Sequence, residues 1–166
     1  AISGDITIPA SVEEFSYSAV NGCNKITALN VEEGSANYKS INGIVYSADG
    51  KIIIVCPRGK TGRIAIANGV ETIDNYAFYN CTNLEKVWID ENVTSIAGEA
   101  FGNCSALTIH GVEGSYAQEY ADSKNIPFST EIMVYPTSAV SGKVTANGNG
   151  VEGVAVTFFD TDKDVI

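Results

Sequence analysis

The sequence predicts an α/β solenoid, a right-handed coil in which β-rich units of equal length stack on one another. Two observations lead to this prediction. Apolar side chains recur at one fixed offset along the chain, and 45% of the residues are hydrophobic, which is enough for a continuous core. Because one such unit cannot bury its own apolar side, each unit must pack on the next.

The repeat is clearest in the middle of the chain, where the offset from Phe78 to Phe101 equals that from Cys81 to Cys104. A fourth copy begins at Ile26, and an insertion delays the copy after it. The three regular copies are Ile6, Ile8, Val12, Phe15, Ala19, Val20 and Cys23; Ile64, Ile66, Val70, Ile73, Ala77, Phe78 and Cys81; and Val87, Ile89, Val93, Ile96, Ala100, Phe101 and Cys104.

Each unit can be interpreted physically, with the copy at 87–104 as the example. Val87 and Ile89 alternate with Trp88, so they should point into the core while Trp88 points outward. Residues 90–92 form a polar turn, and residues 93–96 return across the core. Residues 98–101 suit a short helical turn that buries Phe101.

The insertion predicts a β-hairpin. Apolar runs at 44–47 and 52–55 flank Asp49-Gly50, a dipeptide that tolerates the positive φ angles of tight hairpin turns.

Charge and hydropathy exclude two classes of partner. The net charge is −10 and the sequence pI about 4.4, so nucleic acid is a poor partner. No apolar run approaches the roughly 20 residues of a membrane span, so membrane insertion is not expected. No signal peptide is visible, and we interpret the chain as an excised fragment whose targeting segments lie outside it.

The four cysteines are predicted to be core thiols. Cys23, Cys81 and Cys104 share one repeat position, which favours a column of small buried thiols, and Cys56 follows an apolar strand. A Cys81–Cys104 disulfide is the alternative, since stacked strands are about 5 Å apart.

No catalytic residue, metal site or cofactor is predicted. The cysteines form no CxxC pair, and His110, the single histidine, is expected at the surface. No nucleophile motif or paired carboxylates stand out. Asp160, Asp162 and Asp164 resemble the start of a calcium loop, but Val165 stands where such a loop needs glycine.

The candidate binding residues surround Trp88 on the outer side of its strand. They are Trp88, Lys86, Asp90, Arg63 and Asn30, where Asn30 holds the position equivalent to Trp88 and Arg63 the position equivalent to Lys86. An exposed aromatic among charged neighbours can anchor a protein or a glycan. The alternative is a tryptophan covered by the hairpin or by another side chain.

The residues resemble the BspA-like leucine-rich repeats of bacterial surface proteins. The resemblance covers about residues 5–129 and lies in four places: Ile-x-Ile-Pro-x-x-Val at 6–12, a hairpin insert with Asn-Gly-Ile-Val-Tyr at 42–46 and Pro-Arg-Gly-Lys at 57–60, Ile-x-x-x-Ala-Phe-x-x-Cys-x-x-Leu at 73–84, and a helix-strand cap pattern at 114–128. Phe15 departs from it, since the other copies have Ile there, and the last unit is short at 107–109. The resemblance implies a leucine-rich-repeat domain at 1–130, with a hairpin insert at about 38–60 and a cap at about 112–129.

The segment 131–166 has a different pattern, strand at 141–145, turn at 147–150 and strand at 151–159. It resembles the start of a carboxypeptidase-regulatory-like or Ig-like β-sandwich. Such a sandwich needs about seven strands, so we expect a linker and a truncated all-β fragment. This fragment should pack on the repeats, pair with a second copy or stay poorly ordered.

Three functional hypotheses follow. The resemblance implies an extracellular or bacterial cell-surface adhesion module that binds a host or bacterial surface protein or a glycan. The alternative is a structural spacer within a larger multi-domain surface protein. An enzyme is disfavoured, because no catalytic constellation is found.

Overall fold

A computed structural model describes residues 2–131, 145–146 and 149–150 of the 166-residue chain. The chain divides into two units, Ala1–Ile132 and Met133–Ile166. The first unit contains one α-helix, α1 (Tyr116–Lys124), a 3₁₀ helix at Tyr17–Val20, and the strands β1 (Ser3–Ile8), β2 (Lys25–Val31), β3 (Tyr38–Ile41), β4 (Ile44–Ser47), β5 (Ile52–Val55), β6 (Gly62–Ala65), β7 (Thr72–Ile73), β8 (Leu84–Ile89), β9 (Ser95–Ile96), β10 (Thr108–Gly111) and β11 (Phe128–Ser129).

The first strands of successive repeats form parallel ladders. One sheet has the order β11-β10-β8-β6, and a separate two-stranded sheet pairs β1 with β2. Ile64 lies opposite Val87, and Val87 lies opposite Ile109. The register therefore places aliphatic side chains of neighbouring repeats side by side. The constant repeat offset predicts the first of these pairings, and the second comes one residue earlier because the last unit is short.

The return strands form a second ladder on the other side of the core. Strands β5, β7 and β9 are parallel neighbours in a five-stranded sheet, which β4 and β3 continue in antiparallel fashion. Ile53, Ile73 and Ile96 form one row across it, and all three are buried. The repeats thus contribute buried aliphatic side chains to both walls of the core.

Aromatic stacking joins the third side of the repeats. The rings of Phe78 and Phe101 lie 4.6 Å apart and only 10° from parallel, and both are buried. The backbone supports this contact, since the Phe78 amide donates to the Ala100 carbonyl at 2.8 Å. The predicted helical turn at 98–101 is a hydrogen-bonded turn instead, closed by the Ala100 amide on the Ala97 carbonyl at 3.0 Å.

The insertion contains two hairpins where the sequence analysis predicts one. The predicted hairpin joins β4 to β5 around Asp49-Gly50. The second joins β3 to β4 through Asn42 and Gly43, whose φ angles are 52° and 73°. Both central residues are left-handed, which is why Asn-Gly is so strong a hairpin signal.

A helix and a strand close the core after the last repeat, as predicted. Helix α1 buries Ala117, Tyr120 and Ala121, and the Tyr120 ring lies 5.9 Å from that of Phe101. Strand β11 then pairs in parallel with β10. The described residues are thus mostly β with a single α-helix, less helical than the predicted α/β class implies.

The four cysteines are free thiols, of which Cys56 and Cys81 are buried and Cys23 and Cys104 half-buried. The Cys104 thiol donates to the Phe78 carbonyl at 3.0 Å, which ties one repeat to the preceding one. Burial raises the pKa of the Cys104 thiol to about 12 and also raises the pKa of the Cys56 thiol. These two thiols are therefore protonated at neutral pH.

In the second unit, strands β12 (Thr145–Ala146) and β13 (Asn149–Gly150) are antiparallel. Strand β13 begins inside the segment that the sequence analysis assigns to a turn. The remaining predictions for 132–166, including the β-sandwich fragment and the calcium loop, lie outside the described residues.

Replacing Phe101 with alanine should lower the free energy of unfolding by about 3–5 kcal/mol, because the change removes a buried ring and leaves a cavity against Phe78. Urea denaturation followed by circular dichroism measures the difference. Glu91→Ala, an exposed change in the same repeat, should stay within about 0.5 kcal/mol of the parent. Equal effects of the two changes would contradict the stacked core.

The free energy of unfolding should fall as the pH rises from about 8 to about 11. Folding raises the pKa of Cys104 above its ordinary value of 9.0. As the pH rises, the thiol therefore loses its proton in the unfolded chain before it does so in the folded protein, which favours unfolding. The contribution is complete below pH 9 and is lost as the pH approaches 12. Urea denaturation across this range tests the effect, and Cys104→Ser should show a shallower decline. An identical decline in both proteins would refute the assignment to Cys104.

Candidate binding surfaces

Strand β8 carries Trp88 on the face of its sheet opposite to the buried row. Val87 and Ile89 are fully buried while Trp88 between them is half-buried, so the predicted alternation is confirmed. Trp88 lies opposite Ala65 of β6 on one side and His110 of β10 on the other. Parallel partners project to the same side of a sheet. The indole therefore has a small neighbour, Ala65, on the β6 side.

His110 is buried rather than exposed, so the sequence-based expectation of a surface histidine is wrong. It is 2% exposed, and its Nδ1 lies 2.9 Å from the Glu131 carbonyl oxygen. The ring stands in a row between Trp88 and Ser129, and the chain at 130–131 passes near it. Its Nε2 has no hydrogen-bond partner among the described residues. His110 is therefore a buried packing neighbour of Trp88 on the β10 side.

A cationic row lies one step along the same face. Arg63 of β6 is opposite Lys86 of β8, which is opposite Thr108 of β10. Arg63 is exposed and Lys86 half-buried. The three predicted residues Arg63, Lys86 and Trp88 are thus brought together on adjacent strands. We name this set the tryptophan face.

The other two predicted residues have different surroundings. Asp90 follows β8, and its carboxylate accepts the Asn92 amide at 3.0 Å, so it closes the turn after the strand. Asn30 lies opposite Thr7 in the separate β1-β2 sheet. Asn30 has the same repeat position as Trp88, but it belongs to a different sheet.

A second surface that the sequence analysis missed consists of three tyrosines from two turns. The Tyr17 and Tyr76 rings are stacked at 5.3 Å, and Tyr79 meets both edge-on, at 5.5 Å and 5.3 Å. Asn103 of the next repeat donates to the Tyr79 hydroxyl at 2.9 Å. We name Tyr17, Tyr76 and Tyr79 the tyrosine cluster.

Arg58 supports the tyrosine cluster from within. It is 4% exposed, and its guanidinium lies 4.8 Å from the centre of the Tyr17 ring. Its Nη2 donates to the Tyr17 hydroxyl and, at 2.8 Å, to the Asn21 side chain. These contacts fix the Tyr17 ring, since a charged donor makes stronger hydrogen bonds than a neutral one.

The repeat alignment could not reveal this cluster. Tyr17 occupies the repeat position of Asn75, whereas Tyr76 and Tyr79 align with Glu99 and Gly102. The three rings meet because the inserted unit supplies Pro57-Arg58-Gly59 between two complete turns. One signal was available, namely that Tyr76 and Tyr79 lie close together within a single turn.

A groove of about 330 Å³ separates the last repeat from the cap, and Lys124 and Glu99 approach each other across its mouth at 3.9 Å. Among the described residues, no cluster of three or more His, Cys, Asp or Glu side chains suits a metal ion. Nor does any helix in that part of the chain have the length and apolar character of a membrane span.

Part of the chain matches a known family of repeats. Residues 58–129 match the family described as BspA type leucine rich repeat region (6 copies). No curated protein sequence matches the chain. This segment includes the repeats of β6–β9 and the cap, and it covers less than half of the 166-residue chain.

Solved structures of leucine-rich-repeat proteins share the fold. A leucine-rich cell surface protein of Faecalibacterium prausnitzii has 31% sequence identity and a TM-score of 0.55 over 63% of this chain and 28% of its own. A leucine-rich repeat protein of Eubacterium ventriosum has 25% identity and a TM-score of 0.50 over 66% and 36%. The pneumococcal vaccine antigen PcpA, at 22% identity, has a TM-score of 0.56 over 66% and 29%. The chain therefore spans between 28% and 36% of the length of these proteins.

Replacing Arg58 with methionine should lower the free energy of unfolding by about 1.5–3 kcal/mol, because the change retains the aliphatic stem but leaves Tyr17 and Asn21 without their charged donor. Urea denaturation measures this loss, and near-UV circular dichroism should show the accompanying change around the tyrosines. Lys25→Met, which removes an exposed cation, is the matched control. If both variants unfold alike, Arg58 does not brace the cluster.

Proposed function

We propose that the chain is a secreted or cell-surface module that binds a protein or a glycan through its tryptophan face. The repeats act as a solenoid, a rigid support that holds this face in one shape. The observation that carries the proposal is Trp88 on a central strand, beside Arg63 and Lys86, in a chain of net charge −10.

The charge distribution favours a contact surface at this place. A chain with 20 acidic and 10 basic residues has two cations opposite each other on adjacent strands, one step from its only tryptophan. Tryptophan and arginine are enriched among the residues that dominate binding energies, and lysine adds a local positive potential. An acidic protein segment or a glycan that bears carboxylates would complement such a face.

The comparisons support an extracellular location. The structural neighbour with 31% sequence identity is described as a leucine rich cell surface protein. Residues 58–129 also match the BspA type of leucine-rich repeat, a repeat that resembles those of bacterial surface proteins. The adhesion role itself rests on the tryptophan face.

Trp88→Ala should lower the affinity for the partner at least about tenfold, since a buried aromatic anchor contributes about 2 kcal/mol or more to binding. The measurement is a glycan array together with a panel of purified host extracellular proteins, followed by surface plasmon resonance on each hit. Arg63→Ala should slow association and weaken its dependence on salt. Thr7→Ala is the matched control, because Thr7 has the same repeat position in the other sheet.

Two results would count against the proposal. If nothing in either panel binds, the alternative role of a structural spacer is favoured. Binding that Trp88→Ala leaves unchanged, in a variant with the circular dichroism spectrum of the parent, would move the contact to another surface.

A further inference from the structure

We propose that the cleft beside the tyrosine cluster binds a neutral saccharide. This site lies in the turns of the repeats, away from the sheet that carries Trp88, and goes beyond the function proposed above. It shares no residue with the tryptophan face, so either assignment can fail while the other stands.

The cleft is a depression of about 270 Å³ between two turns. Its lining consists of Ser16, Tyr17 and Ser18 on one side and Asp74, Asn75 and Tyr76 on the other. Because the Tyr17 and Tyr76 rings stack on each other, a ligand lies beside this pair and not between the rings. Ile54 of β5 contributes an apolar patch. The volume is near the lower end of the range for small-molecule sites, about 300 Å³, which suits one or two sugar rings.

The lining groups match the chemistry of a sugar. Tyr76 is 38% exposed, so its ring can cover the C–H face of a pyranose. The Asp74 carboxylate accepts the Asn75 amide through Oδ1 at 2.7 Å, which leaves Oδ2 for sugar hydroxyls. The Asn75 side-chain oxygen accepts the Glu99 amide at 3.1 Å, and that bond directs the amide nitrogen away from Glu99. A few placed polar groups beside an aromatic surface are typical of a ligand site.

The cleft is held in shape before any ligand arrives. Arg58 fixes Tyr17 from below through the hydroxyl and the ring face. Gly102 accommodates Tyr79, since a Cβ at Gly102 would come within 2.7 Å of that ring. Preorganised side chains lose less entropy on binding.

Tyr76 has a strained backbone that its equivalent in the next repeat does not share. Its φ is 62°, in the left-handed region that a bulky residue rarely adopts. Asn80 and Asn103 share a repeat position and both have positive φ, so left-handed backbone there belongs to the repeat. Glu99, the equivalent of Tyr76, is not among the residues with positive φ. Such isolated strain concentrates at binding sites.

Charge selects a neutral ligand. Among the described residues that line the cleft, Asp74 is the single charged group. Arg58 lies behind the Tyr17 ring and is not part of the lining. An anionic sugar would meet a carboxylate and no cation, within a chain of net charge −10.

The test uses the full chain and a panel of neutral methyl glycosides and disaccharides of glucose, galactose, mannose and N-acetylglucosamine, with sialylated and sulfated sugars as the anionic comparison. Saturation-transfer difference NMR detects binding, and calorimetry gives the affinity. We expect at least one of these sugars to bind, with Tyr76→Asn lowering its affinity about tenfold or more. Asparagine is chosen because it tolerates the left-handed backbone and removes only the ring.

Two matched controls accompany this variant. Glu99→Gln changes the equivalent position of the next repeat, and Trp88→Ala changes the tryptophan face; both should keep the affinity of the parent. The proposal is overturned if no neutral sugar binds at millimolar concentration. Undiminished binding by Tyr76→Asn, or binding only of sialylated or sulfated sugars, would overturn it equally.

Discussion

The register of the parallel ladders is the constraint on which the rest of the molecule depends. Ile64, Val87 and Ile109 must lie side by side, because a slip of one residue would turn each of them outward and bring Trp88 into the core. The same register aligns the Phe78 and Phe101 rings and the cysteines of successive turns. Once the unit length is fixed, the two sheets and the aromatic column follow together.

This dependence explains what the sequence could predict. Burial of Val87 and Ile89, the hairpin at Asp49-Gly50 and the helix-strand cap all follow from local periodicity or turn chemistry, and all are confirmed. The Asn42-Gly43 hairpin was within reach of the same reasoning, yet only one turn was expected. His110 was misplaced because its burial depends on Glu131, which lies far along the chain.

The candidate surfaces, too, were predictable from the sequence only where they follow from the register of the repeats. Repeat arithmetic placed Arg63, Lys86 and Trp88 on one face correctly, since all three follow from register. It wrongly grouped Asn30 with them, because the interruption between β2 and β6 separates two sheets. Repeat arithmetic could not predict the tyrosine cluster, because Tyr17 and Tyr76 hold non-equivalent repeat positions and Arg58, which contacts Tyr17, belongs to the insertion.

The cap makes the two ends of the stack of repeats different. Helix α1 covers the Phe101 end of the core, and β11 completes the sheet there. A unit added between β8 and β10 would meet equivalent neighbours on both sides, so whole units can be gained or lost there without disturbing the terminus. Recombination between such units could therefore lengthen the ladder in fixed steps of one strand spacing, about 4.8 Å, while the Tyr17, Tyr76 and Tyr79 rings, which precede β8, keep their contacts with one another.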